Sequence, residues 1–254
     1  MYFSEEDLEK IRQEHLSVPV KYQCLLLACA ARNYNDPQAH EYATHGFSRR
    51  LKTLVRCIEN VFEILPPDRI ELPTKDELSD AAINIQAFVF NVFGCADNLA
   101  WVWVREKCLV QNNGSPIPKR WVGLRKKNEF VRRSFSQDFQ EYLKGLDVWF
   151  ENLENFRHAL AHRIPLYIPP YIVSDDKMAD YRQLEDSMAE ASKRQDFAKY
   201  DLLSAEQEAL GVFNPVMTHS FEEKSKVVVF HAQLLADFNT IEELGRKVFE
   251  ELRR

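Results

Sequence analysis

An all-α fold is predicted for this 254-residue chain by three observations. Glycine is scarce, at 7 residues; 45% of the residues are hydrophobic and 28% charged; and apolar residues recur at three- and four-residue steps along seven segments. That composition suits long amphipathic helices packed on a core, and it excludes collagen-like and disordered chains. The length suffices to bury a full core. With no Gly/Ser/Pro-rich linker, repeat or low-complexity tract, the expectation is a single helical domain over 1–254.

The segments with helical periodicity are 4–16, 20–33, 37–65, 74–108, 128–163, 176–210 and 220–252. Pro66-Pro67 ends the third. Thr74 with Glu77 carries the signature of a capping box that starts the fourth, and Asn112-Asn113-Gly114 with Pro116 and Pro118 marks a turn after it. In the fifth segment Phe139, Leu143, Leu146, Trp149, Phe150, Leu153, Phe156 and Leu160 form one apolar stripe. Val228, His231, Leu234, Leu235, Phe238, Ile241, Leu244 and Phe249 do the same in the last. Between them, 180–210 is rich in charge and poor in large apolar residues, so it is expected to pack on the outside or to clamp a second subunit. Short extended pieces fit 165–173 and 211–217, where Ile, Tyr, Val and Pro dominate.

The net charge of −6 argues against a protein that coats nucleic acid without specificity. The chain opens MYFSEEDLEK, acidic where a secretory leader is basic, and the apolar run at 24–31 is too short to span a bilayer. The most apolar stretch, 81–104, is interrupted by Asn84, Gln86, Asn91, Asp97 and Asn98, which reads as a buried helix. A cytoplasmic protein without a membrane segment is expected. Cysteines 24, 29, 57, 95 and 108 are odd in number with no C-x-x-C pair, and they read as reduced, mostly buried small hydrophobes.

Asn84, Asn91, Asn98 and Arg105 recur at seven-residue steps, so successive members drift by only about 20° around an ideal helix and share a face. Two readings stay open: a solvent-facing strip, or a hydrogen-bonding seam that meets a charged neighbour inside a bundle. The stretch KRWVGLRKKNEFVRR at 119–133 carries seven cations, Lys119, Arg120, Arg125, Lys126, Lys127, Arg132 and Arg133, against Glu129 alone. Trp121 and Phe130 lie among them. Cations neutralise phosphates and aromatics stack on bases, so this segment is an RNA-contact candidate, with a solvated helix start as the plainer account.

The segment NFRHALAHRIP at 155–165 concentrates chemistry at a helix end. With Leu153 at zero and about 100° per residue, Phe156 falls near 300°, Leu160 near 340° and Arg157 near 40°, which puts Arg157 on the core-facing arc. An arginine there needs a carboxylate, amides, a phosphate ligand or a wet pocket. His158 and His162 fall near 140° and 180°, together on the opposite face. Pro165 disfavours helical geometry at Ile164, so the helix should stop near His162 or Arg163. The negative end of the helix dipole favours a protonated histidine at that point.

The run Arg157-His158-Ala-Leu-Ala-His162 resembles the R-x4-6-H motif of HEPN domains, helical-bundle proteins in which a polar residue often follows the arginine. The resemblance covers about 79–165, with 1–70 and 176–254 as helical extensions beyond it. It implies a HEPN-like bundle, a metal-independent endoribonuclease and a homodimer, with a role in RNA-targeting defence, toxin activity or RNA processing and with an antitoxin or other protein partner left open. In that scheme the RNA 2′-OH attacks the adjacent phosphorus, His162 acts as general acid or base, and Arg157 holds the phosphoryl oxygens. His158 orients substrate or its partner histidine, and Asn155 and Arg163 are second contacts. The rival reading is a catalytically silent scaffold that binds RNA, a nucleotide or a protein. No cofactor is expected, because the chain lacks G-x-G-x-x-G, Walker and G-x-S-x-G motifs. No metal is expected either: H-E-x-x-H is absent and Arg157 would repel a cation beside the two histidines.

Overall fold

A computed structural model describes residues 2–220 and 226–254. Within them the fold is all-α, apart from a two-stranded antiparallel ribbon of β1 (Val216–Met217) and β2 (Val228–Val229). The helices are α1 (Glu5–Ala30), α2 (Pro37–Glu41), α3 (Ser48–Ile64), α4 (Lys75–Glu106), α5 (Glu129–Arg132), α6 (Gln137–Gly145), α7 (Asp147–His162), α8 (Met178–Lys193), α9 (Phe197–Glu208) and α10 (Phe230–Glu251). A π-helical turn, Tyr42–Phe47, joins α2 to α3, and His40 and His45 lie on these two turns.

α4 is the axis of the bundle. The expected capping box starts it: Thr74 Oγ1 accepts from Glu77 N–H and the Glu77 carboxylate accepts from Thr74 N–H at 2.7 Å. Ile85, Phe88, Val92, Leu99 and Val102 are fully or almost fully buried, and α3, α7 and α10 pack around them. By length and composition this helix passes for a membrane span, but 61% of its most apolar window is buried inside the bundle. Its hydrophobicity therefore serves a core. The same apolar cluster draws on Leu25 of α1, Leu54 and Ile58 of α3, and Phe238 and Leu244 of α10, so the segments outside 79–165 help to build it.

Several boundaries differ from the sequence reading. The two segments expected at 4–16 and 20–33 are one helix, α1, which runs through Pro19. Proline removes one backbone bond, yet buried Val18 and Leu25 hold both halves against the core. Lys21 also spans the proline, donating to Glu14 at 2.9 Å and to Asn239 of α10 at 2.9 Å. The expected helix at 128–163 is three helices. Ser136 breaks it by capping Phe139 N–H, and it is itself held by Glu251 of α10, with Ser136 Oγ donating at 2.8 Å. The apolar stripe nevertheless stays inside through Phe139, Leu143, Phe150, Leu153 and Phe156.

The run at 176–210 is also divided. Gln195 adopts a left-handed φ of 55° and Asp196 caps α9 through Lys199 N–H, which folds α8 and α9 into a hairpin whose main packing is between the two helices. The last helix starts at Phe230, because Val228 and Val229 pair with Met217 and Val216 as strand; part of the expected start, 221–225, lies outside the described residues. The two extended pieces meet each other, through the bridges Tyr167 to Thr218 and Ile172 to Val212. Cys29, Cys57 and Cys95 are buried, whereas Cys24 and Cys108 are exposed; all five are free thiols.

Candidate functional site

The polar row on α4 faces α3 and the start of α2 and is satisfied there. Asn60 donates to Asn84 at 2.9 Å, and Arg50 donates to Asn91 and to Asn98, each at 3.1 Å. Arg105 pairs with Asp36 at 2.9 Å. Gly94 makes room for the Arg50 guanidinium: a Cβ at Gly94 would lie 2.5 Å from its carbon. Asn91, Asn98 and Arg105 are half-buried, so the seam belongs to the bundle and the solvent-strip reading does not hold.

One helical turn along α4, Phe93 and Asp97 face the other way, toward α7 and the segment before α5. The guanidinium carbons of Arg157 and Arg125 lie 4.5 and 4.7 Å from the Phe93 ring centre, both in cation–π range. Among the described residues Arg157 makes no hydrogen bond and no ion pair, although it is half-buried. The core-facing arginine is thus supported by an aromatic face and left without an acceptor.

Asp97, also half-buried, has no ion pair within 4 Å among the described residues. Burial pushes its carboxyl above the ordinary range, against the opposing charges of Arg125, Arg157 and Arg50. Glu154 is the hub on α7. Arg125 pairs with it at 3.0 Å, Lys127 bonds it as well, and His158 Nε2 lies 3.8 Å away. Partial burial acts to raise the Glu154 carboxyl, but the Lys127 hydrogen bond and the charges of Arg125, Lys127 and His158 together hold it below the usual range. Lys127 and Arg125 therefore tie the basic segment to the helix that carries the motif.

α7 ends at His162, the position that Pro165 implies. His158 and His162 are exposed and their rings stand edge to face with centres 6.2 Å apart. Among the described residues nothing joins Arg157 to either ring. Arg163 donates to Asn155 Oδ1 at 2.6 Å, so these two predicted contacts hold each other over the last turns of the helix. Lys119, Arg120, Lys126 and Lys127 are exposed around Trp121, itself 38% exposed, while Arg125 is turned inward to Glu154.

Arg50, Phe93, Asp97 and Glu154 complete the neighbourhood and were not singled out by sequence reasoning. The one sequence signal was Asp97 itself, a carboxylate in the most apolar stretch of the chain. Among the described residues no three metal-ligating side chains cluster. No family model, curated protein or solved structure matches the chain.

Proposed function

We propose that the chain is a metal-independent endoribonuclease of the HEPN type, cytoplasmic and active as a homodimer. The observation that carries this reading is the state of Arg157: a half-buried guanidinium resting on Phe93, without an acceptor of its own, beside two exposed histidines at a proline-terminated helix end. A charge in that position is costly unless a ligand or water meets it. A phosphodiester is a fitting acceptor, because its planar pair of oxygens matches the guanidinium fork.

In the proposed reaction the 2′-OH oxygen bonds to the adjacent phosphorus as the P–O5′ bond breaks. One histidine accepts the 2′-OH proton and a protonated group delivers one to the leaving 5′ oxygen, giving a 2′,3′-cyclic phosphate and a 5′-OH. His162 is assigned the proton transfer, His158 its orientation through Glu154, and Arg157 the charge that builds on the phosphoryl oxygens. Because Arg157 and His162 lie on different faces of α7, the scheme has the imidazole of one subunit complete the site of the other across a two-fold axis.

That separation within one chain also supports the rival, a silent scaffold that binds RNA. Incubation of the purified protein with RNA in excess EDTA distinguishes the two. The nuclease predicts cleavage that ends in cyclic phosphate, that spares DNA and that His162→Ala abolishes. Intact RNA after incubation with folded protein supports the scaffold, and cleavage that EDTA stops contradicts the metal-independent scheme.

A further inference from the structure

Two surface cavities adjoin along the basic segment and meet at Glu129 and Arg133. The first, about 750 Å³, is lined by Trp121 and Phe130, with Lys127 on its wall; the two rings are 6.2 Å apart and inclined at 38°. The second, about 420 Å³, is lined by Lys126, Arg132, Arg133, Lys144 and Gln140. Together they carry five cations on a chain whose net charge is −6: Lys127, Arg132, Arg133 and Lys144 pair with Glu154, Asp147, Glu129 and Glu141, and Lys126 has no ion pair among the described residues.

Each cavity has in its wall a residue with a buried polar atom that has no partner among the described residues. Arg132 is only 8% exposed; its Nη1 donates to Asp147 at 2.6 Å, and its Nη2 has no partner among the described residues. Asn128 is 2% exposed. Its Nδ2 donates to the Trp121 carbonyl at 3.1 Å, and its Oδ1 has no partner among the described residues. A buried guanidinium nitrogen is seldom left open, and a bound anion is one reason for it, whereas the Asn128 oxygen rests against Gly123. Asn128 also fixes the loop that presents Trp121: Gly123 leaves it room, since a Cβ there would lie 2.5 Å from Asn128 Oδ1.

We infer that this double cavity binds one nucleotide unit, the base against Trp121 and Phe130 and the adjoining phosphate beside Arg132, Lys126 and Lys144. An aromatic pair next to an anion pocket matches a base joined to its phosphate, and stacking of this type accepts any base. Lys127 links the site to the motif, since it lines the first cavity and bonds Glu154, which faces His158. The inference rests on the proposed function in taking RNA as the source of the nucleotide. It does not require that the RNA be cut.

The test uses the full-length protein and a fluorescein-labelled 2′-O-methyl oligouridylate, which offers base and phosphate but has no free 2′-OH to attack. Trp121→Ala is expected to weaken binding at least about fivefold. Lys126→Ala with Lys144→Ala is expected to lower the slope of log Kd against log salt by about 0.7 for each phosphate that is no longer neutralised. These side chains are exposed, and unchanged melting of the variants shows that they fold. Unlabelled uridine monophosphate that competes as well as the oligonucleotide assigns the site to free nucleotides, and competition by oligonucleotides alone assigns it to a strand; either supports the inference. Inorganic phosphate competing equally well overturns the role of the base. Equal affinities for wild type and Trp121→Ala, or no binding of either probe, overturn the site. Cleavage lost in His162→Ala with this binding intact separates the fate of the nuclease reading from that of the cavity.

Discussion

Two faces of α4 treat the same chemical groups in opposite ways. Toward α3 and the start of α2, Arg50 lies between Asn91 and Asn98 with hydrogen bonds to both, and Asn84 and Arg105 find Asn60 and Asp36. Toward α7, Arg157 rests on Phe93 without an acceptor and Asp97 has no ion pair among the described residues, with Arg125 committed to Glu154. A guanidinium whose donors are used by its own chain is structural, because a ligand would have to displace those bonds. A half-buried guanidinium whose donors are unused keeps its hydrogen-bonding capacity for something outside the chain.

The largest expected effect lies on the α7 side. His162→Ala should lower RNA cleavage in EDTA by about 10²- to 10⁴-fold with an unchanged melting curve, since the ring is exposed at the helix end. Next comes the α3 side, where Arg50→Ala strands two amides and opens a void beside Gly94. A loss of about 3 kcal/mol is expected in urea unfolding. Gly94→Ala should act in the same direction, because its Cβ needs the space that the guanidinium fills.

The buried groups of α10 extend the structural side and give it a pH signature. Burial pushes Asp237 up to about 6, against hydrogen bonds from Trp149 and Gln233; burial pushes His231 down to about 4, against its bond to the Leu65 carbonyl. Folded Asp237 holds a proton that the unfolded chain has released, so its contribution is full below an unfolded pKa of about 3.8 and is lost as pH rises through about 6. His231 runs the other way: its contribution is full above about 6.5 and is lost as pH falls toward about 4. The two slopes oppose each other between these limits. Relative to wild type, Asp237→Asn should therefore add a rise of about 2 kcal/mol in stability between pH 4 and 6, and His231→Gln should remove a rise of similar size. Parallel pH profiles for both variants and wild type would refute this assignment. The smallest effect is at the start of α4, where Thr74→Ala removes the cap and should cost about 1 kcal/mol in the same unfolding experiment.

Much of this comparison was legible in the sequence, and its limits are physical. The seven-residue spacing of Asn84, Asn91, Asn98 and Arg105 put them on one face, but periodicity does not say what a face meets, and the partner Arg50 comes from another helix. The angle of Arg157 placed it toward the core and Pro165 fixed the end of α7, both local properties of the chain. Phe93 and Asp97 were invisible as a site because their meaning depends on α7 folding back across α4. Breaks within 128–163 and 176–210 escaped the helical pattern, since Ser136 and Asp196 act as caps only once Phe139 and Lys199 begin new helices. Pro19 misled in the other direction: packing of Val18 and Leu25 carries α1 through a residue that local preference would place at a break.

The central claim is that Arg157 is held in readiness for a phosphate and is not a member of the scaffold. Arg157→Ala, measured in parallel for unfolding free energy and for RNA cleavage in EDTA, tests it most directly. The expected result is stability within about 1 kcal/mol of wild type, the scale of one cation–π contact, together with at least a hundredfold loss of cleavage. A variant that unfolds as readily as Arg50→Ala, or one that cuts RNA as fast as wild type, would contradict it.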